Sequence, residues 1–185
     1  MGDGKSTFAM HLNAILKPAS GAVYVNGIDT INDELVLEIR KNVGMVFQNP
    51  DNQIITSIVK EEVSFGPKNL GLDEVETDKA VDEALEMVDL SEYKMRETNK
   101  LSGGQKQRLA ISGVLAMKPK CIIFDEATSM LDKQGTNQVL NIMKKLNSEN
   151  GITIIHITHN MEEAALADRV IVIDGRKSCI RRCSF

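Results

Sequence analysis

The sequence predicts an α/β fold built on a parallel sheet, with a helical subdomain inserted into it. Three observations carry that expectation. Short apolar runs of strand length alternate with stretches whose apolar residues recur at helical spacing. Gly4-Lys5-Ser6-Thr7 runs straight into the first helical stretch. The run Ile122-Ile123-Phe124 ends in two carboxylates, Asp125 and Glu126, as a strand does when it delivers acids to the carboxyl edge of a sheet.

Taken in order, the spacing of Phe8, Leu12, Ile15 and Leu16 predicts a helix over 5–16, stopped by Pro18 and Gly21. Val23-Tyr24-Val25 is a strand that meets the tight turn Asn26-Gly27. A short buried strand is expected over 43–47. From 57 to about 95 the pattern is helical, with Val81, Ala84, Leu85 and Val88 on one face and breaks at Gly66-Pro67 and Gly71. A helix over about 104–117, carrying Leu109, Ile111, Val114 and Leu115, stops at Lys118-Pro119. Buried strands are expected over 121–124, 153–157 and 170–173, with helices over about 135–146 and 161–167 between them. The long helical stretch between Gln48 and Leu101 interrupts the alternation and suggests a separate helical lobe, at about 49–100.

Composition narrows the function classes. The chain has 185 residues, enough for one domain. With 42% hydrophobic and 26% charged residues it is globular, which excludes a disordered tail or a collagen-like fibre. A net charge of −4 argues against binding bulk nucleic acid, and no Trp, two Tyr and five Phe argue against a base-stacking platform. Three sparse cysteines give no disulfide framework and favour a reducing cytosol. Cys121, inside an apolar run, reads as a small buried hydrophobe, and Cys179 and Cys183 lack further metal ligands nearby. No apolar stretch approaches the ~18 residues of a membrane span, and the start of the chain has no secretory apolar region. The chain is expected neither to cross a membrane nor to be exported by that route, though it could sit on a membrane protein.

Gly2-Asp3-Gly4-Lys5-Ser6-Thr7 matches the end of a phosphate-binding P-loop, G-x-x-x-x-G-K-[ST]. In such a loop glycines let backbone N–H groups cradle phosphate oxygens, the lysine places a full charge among them, and the hydroxyl holds Mg²⁺. The first Gly of the pattern would fall before Met1, so the loop is expected to be cut in its middle. A Gly-Lys-Ser alone is also what a helix N-cap produces. Asp125 would reach Mg²⁺, and Glu126 could polarise an attacking water. A solvated acidic turn after a strand gives the same letters. Leu101-Ser102-Gly103-Gly104-Gln105 opens a helix with free N–H groups suited to a γ-phosphate, or is a loop with a Ser cap. Gln48 follows a strand, and His159 follows another as a candidate sensor of the γ-phosphate. The order of all five pieces is the specific signal.

That order resembles the nucleotide-binding domain of an ATP-binding cassette (ABC) transporter. The resemblance implies that Lys5, Ser6 and Thr7 belong to the Walker A motif and Gln48 to the Q-loop. Leu101 to Gln105 becomes the signature motif, Asp125 the Walker B aspartate and Glu126 the catalytic glutamate. Ser129-Met130-Leu131-Asp132 becomes the D-loop and His159 the switch histidine. The implied site is then catalytic Glu126 and His159, with nucleotide contacts from Gly2, Gly4, Lys5, Ser6, Thr7, Gln48, Ser102, Gly103, Gly104, Gln105 and Asp132. Metal contacts come from Ser6, Gln48 and Asp125. The implied fold is a P-loop NTPase core with an inserted helical signature-motif subdomain, an incomplete ABC ATPase fold.

Val46 to Gln53, followed by Glu61-Glu62-Val63-Ser64-Phe65-Gly66-Pro67, is similar to the ATPases of energy-coupling factor (ECF) importers, including the cobalt-importer type. This likeness implies ATP and Mg²⁺ as cofactors, and ATP hydrolysis that energises uptake of a vitamin or metal ion. It also implies a second ABC ATPase subunit, in a homo- or heterodimer, a transmembrane coupling subunit and a substrate-binding membrane subunit as partners, at the cytoplasmic face of the membrane. The rival readings are a truncated, non-catalytic remnant and a soluble ABC-family ATPase. The family's upstream strands and adenine-stacking aromatic are not found before Met1. The tail over 176–185, basic and without an acid, falls outside the family pattern. The expected organisation is a partial ABC ATPase domain over 1–175 with that tail after it.

Overall fold

Helix α1 (Lys5–Leu12) is started by Gly4, whose φ of 83° turns the chain into the helix. The computed structural model describes residues 4–174 and 177–182, so Gly2, Asp3 and Cys183 lie outside the described residues. The helix stops four residues before the expected end. Asn13 swings out of it and donates its side-chain amide to the Val43 carbonyl, and Ala14 takes a φ of 53°. The expected apolar face is not the buried one. Ala9 is fully buried while Phe8 is 48% exposed, because the small side chain lets the helix lie close to the sheet.

Strands β1 (Tyr24–Val25) and β2 (Ile28–Asp29) pair antiparallel across Asn26-Gly27. Those two residues have φ of 49° and 80°, the left-handed pair that a two-residue hairpin requires. Helix α2 (Val36–Asn42) was not expected. Ile39 is its one buried residue, so it carries no apolar stripe to be recognised. Strand β3 (Val43–Val46) is buried along its whole length.

Helices α3 (Val59–Asn69) and α4 (Glu74–Met87) follow. The expected break at Gly66-Pro67 does not occur. Pro67 is buried inside α3, and packing offsets the hydrogen bond it cannot donate. A Cβ on Gly66 would stand 2.7 Å from Met117 Cγ, so this face is pressed close to its neighbour. Gly71, at φ 81°, supplies the actual turn. Asp73 and Glu76 start α4 with a reciprocal capping box.

Helix α5 (Gly103–Leu115) precedes strand β4 (Cys121–Asp125), helix α6 (Lys133–Ser148) and strand β5 (Thr153–Ile157). The three strands β3, β4 and β5 form one parallel sheet in that spatial order, with Val46 beside Phe124 and Asp125 beside Ile157. Alternation along each strand builds two faces. Val46, Ile122 and Phe124 point to the layer of α3, α4, α5 and α6. Val43, Met45, Ile123 and Ile157 point to Ala9 of α1. Each fully buried Ile, Leu or Phe in these layers contributes about 1.5–3 kcal/mol. Gly44 sets the approach of α5, since a Cβ there would lie 2.1 Å from Val114 Cγ1. Cys121 is partly buried, and burial pushes its thiol up to about 11, so it packs as a protonated apolar group.

Helix α7 (Met161–Ala164) is one turn shorter than expected, and strands β6 (Arg169–Asp174) and β7 (Lys177–Arg182) close the described chain. Here the expectation of a buried strand over 170–173 fails. β6 pairs antiparallel with β7 and with neither β3, β4 nor β5, and Ile171 and Val172 are about half exposed. Pairing with the next segment in the chain closes a short loop at low entropic cost, which a place in the parallel sheet would not.

Candidate functional site

The site lies at the carboxyl ends of the parallel strands. The odd positions of β4 face α1, so Asp125 emerges toward the first turn of that helix. There Ser6 Oγ donates to Asp125 Oδ1 at 3.0 Å. Asp125 is buried, and burial pushes its pKa up, Glu126 adding to the effect. The Ser6 hydroxyl and the Lys5 charge pull it back. The group is an incompletely compensated carboxylate, suited to a cation.

Glu126 is the first residue past the strand. Its N–H still donates to the Ile157 carbonyl at 3.0 Å, which zips β4 to β5 one step further. Its φ is 49°, a left-handed conformation that costs a non-glycine residue about 1–2 kcal/mol. Strain of this kind concentrates at functional sites. The turned backbone brings Glu126 Oε2 to 3.7 Å from Nδ1 of His159, which is mostly exposed just past β5.

Gln48 sits just beyond β3. Its Nε2 donates to Ser129 Oγ at 3.0 Å, and Ser129 Oγ donates to the Glu126 carbonyl at 2.8 Å. Gln48 is thus joined through one hydroxyl to the backbone of Glu126. The segment is held from behind: buried Gln107 donates to the Phe47 carbonyl at 3.1 Å, and Lys106 pairs with Asp51 at 2.6 Å. Asp132 caps α6, its Oδ1 accepting from Gly135 N–H at 2.7 Å. Thr7 lies exposed in the first turn of α1.

Ser6, Gln48, Asp125, Glu126 and His159 are therefore brought together. Ser102, Gly103, Gly104 and Gln105 are not. Ser102 and Gln105 cap each other at the start of α5, and no hydrogen bond or ion pair among the described residues joins them to Ser6, Asp125 or Glu126. Gly104 instead lies beside the start of α6, where a Cβ on it would stand 3.9 Å from Gly135 Cα. Sequence reasoning missed Thr128, His156, Thr158 and Glu163. Their side chains meet beneath the site, with Glu163 accepting from Thr128 Oγ1 at 3.0 Å and from Thr158 Oγ1 at 2.8 Å. Nothing in the letters Met161-Glu162-Glu163 separates a buried Glu163 from a solvated helix start.

The donor set fits a magnesium ion. A hydroxyl and an under-compensated carboxylate 3.0 Å apart are hard oxygen ligands. Among the described residues no group of three His, Cys, Asp or Glu forms a metal cage. One or two protein oxygens with the remaining positions left to phosphate and water is the usual magnesium arrangement.

Comparison with known proteins accords with this geometry. The family model described as ABC transporter matches residues 1–129. Energy-coupling factor transporter ATP-binding protein EcfA1 of Clostridium novyi (strain NT) is 56% identical over 176 residues, covering 95% of this chain and 63% of that protein. The protein of the same name from Clostridioides difficile (strain 630) is 52% identical over 179 residues, covering 97% of this chain and 65% of its own length. The chain thus spans a little under two thirds of these relatives. Among solved structures, cbiO1 from Clostridium perfringens, part of the ABC transporter complex cbiONQ, superposes with a TM-score of 0.88 at 39% identity. It covers 96% of this chain and 72% of that one. The cassette MJ0796, as a dimer in a post-hydrolysis state bound to ADP and Pi, superposes with a TM-score of 0.84 at 31% identity, covering 99% of this chain and 83% of that one. With the motif order, the parallel sheet and the clustered site in agreement with these matches, the chain belongs to the ABC transporter family and has the ABC ATPase fold.

Proposed function

We propose that this chain is an ATP-binding and ATP-hydrolysing subunit of an ECF-type importer. The observation that carries the reading is the meeting of Ser6, Asp125, Glu126 and His159 at one strand edge while the signature residues stand apart. Such an arrangement needs a second subunit to complete each site. Relatives bearing the ECF ATP-binding name and the dimeric MJ0796 cassette support that pairing. The segment over about 49–100 would serve as the helical subdomain, and residues 176–185 as an addition outside the family pattern. The partners would be a second ABC ATPase, a membrane-embedded coupling subunit and a substrate-binding membrane subunit, at the cytoplasmic face.

In this mechanism Gly2, Gly4, Lys5 and Thr7 hold the phosphates, and the start of α1 at Gly4 and Lys5 offers helix N–H groups and the lysine charge for it. Ser6, Gln48 and Asp125 would hold Mg²⁺, which supplies neutralising charge on the phosphates when bound. Glu126 accepts a proton from the water that attacks the γ-phosphorus in line as ADP leaves. His159, beside Glu126, donates toward the transferring phosphoryl group. Ser102, Gly103, Gly104, Gln105 and Asp132 act on the nucleotide of the opposing subunit. Gln48, tied through Ser129 to the Glu126 backbone, relays movement between the site and the membrane partner.

The test is Mg-ATP binding and turnover by the purified protein and its Glu126→Gln variant. The variant should bind as the parent does and lose roughly 100-fold or more in turnover. Failure of the parent to bind Mg-ATP, or turnover of the variant at the parent's rate, would sink the reading.

A further inference from the structure

We propose that Glu163 is a positioning residue that fixes His159 against Glu126 by tying the loop after β4 to the loop after β5. The inference rests on the ATPase reading above. Glu163, on the single turn of α7, is 6% exposed. Its carboxylate accepts from Thr128 Oγ1 with both oxygens at 3.0 Å and from Thr158 Oγ1 at 2.8 Å. It also lies 2.8 Å from His156 Nε2, and Asn160 Nδ2 reaches it at 3.5 Å. Thr128 is two residues past Glu126, and Thr158 immediately precedes His159. One carboxylate therefore grips both backbone segments that carry the reacting pair.

Two features favour geometry over simple stability as the role. Burying an ionised carboxylate is costly, and a well-packed apolar group of similar volume would stabilise the fold at least as well. Burial acts to raise the Glu163 pKa, yet hydrogen bonds from Thr158, His156 and Thr128 outweigh it and hold the group below its ordinary value. The charge is thus kept in place by donors drawn from both loops. Among the described residues His156 Nδ1 is buried without a hydrogen-bond partner, so the ring's hydrogen bond is the one to Glu163.

The experiment compares the protein with Glu163→Ala, Glu163→Gln and Thr158→Val, each assayed well below its unfolding temperature. Misplacement of a reacting group costs rate rather than ground-state binding. Glu163→Ala should therefore lose roughly 10- to 100-fold in kcat, with KM for Mg-ATP changed by no more than about twofold. Glu163→Gln, which keeps the shape and one carbonyl acceptor, should recover most of that loss. A second readout needs no turnover. The chain has three histidines, and the His159 imidazole signals, assigned by their loss in His159→Asn, should move in Glu163→Ala and return toward the parent's in Glu163→Gln. Should Glu163→Ala fail to fold, Thr158→Val removes a single donor and carries the same comparison. His159 signals unmoved in a folded variant, a kcat that falls only with the folded fraction, or a raised KM at unchanged kcat would each overturn the proposal. A parent without turnover would instead remove the ATPase reading, and the imidazole signals would still decide whether Glu163 positions His159.

Discussion

Asp125 and Glu163 are both buried carboxylates near the strand ends, and their surroundings push them in opposite directions. At Asp125 burial prevails over the single Ser6 hydroxyl, and the pKa rises. At Glu163 three donors prevail over burial, and the pKa falls below its ordinary value. A lowered folded-state pKa contributes stability above the unfolded value, which is lost as the pH drops through the folded one. The stability gap between the protein and Glu163→Gln should therefore be widest near neutrality and close in acid, below about pH 4.5. Urea unfolding across that range measures it. The comparison belongs in a His156→Gln background, where the titratable ring facing Glu163 is gone. A gap that does not change with pH would show that the charge contributes nothing. None of this was legible beforehand. Asp125 and Glu126 announced themselves by closing an apolar run, whereas Glu163 is one acid of an adjacent pair and is distinguished only by what folds over it.

Among the elements, the close packing of α5 on β3 depends on one missing methyl group. Gly44→Ala would drive a Cβ into Val114 and should destabilise the fold by about 1–3 kcal/mol, as overpacking of a buried site does. Val114→Ala in the same chain should restore part of that loss, because it removes the atom in the way. Denaturant midpoints for the two single variants and the double variant check this, and strictly additive losses would count against the contact. The elements read correctly, β3, β4, β5, α5 and α6, are those whose apolar residues form an unbroken strand-length run or recur at helical spacing. Those misread show the limit of the same signal. Apolar residues state a preference for burial without naming a neighbour. Phe8 thus gave way to Ala9 on the face of α1, and β6 paired with β7 outside the parallel sheet.

For the molecule as a whole, the proposed reaction divides its groups between two half-sites carried on one chain. The proposal puts Lys5 and Ser6 in one and Ser102 to Gly104 in the other, and no hydrogen bond or ion pair among the described residues joins the Ser102–Gly104 segment to Ser6. Lys5→Ala should silence the first and Ser102→Arg the second, so each variant alone should be inactive. Where the chain pairs with itself, half of the pairs in a random equal mixture are mixed, and each mixed pair keeps one site without a lesion. About a quarter of all sites should then be intact, and turnover should return toward that fraction. Mixing that restores nothing at any ratio would remove the shared-site geometry. Among the described residues no helix is long and apolar enough to cross a membrane. Motif order made the family and the fold legible, because the five motifs keep their sequence order however the intervening elements bend.

The left-handed backbone at Glu126 has a consequence for laboratory evolution. Glycine at this position would release about 1–2 kcal/mol of backbone strain. A library screened only for survival after heating should therefore enrich glycine at 126, and with it lose the carboxylate proposed to meet the attacking water. Selection on growth through the proposed ATP-driven uptake would hold the glutamate in place against that drift. The identity of residue 126 in an evolved population would then record which of the two pressures had shaped it.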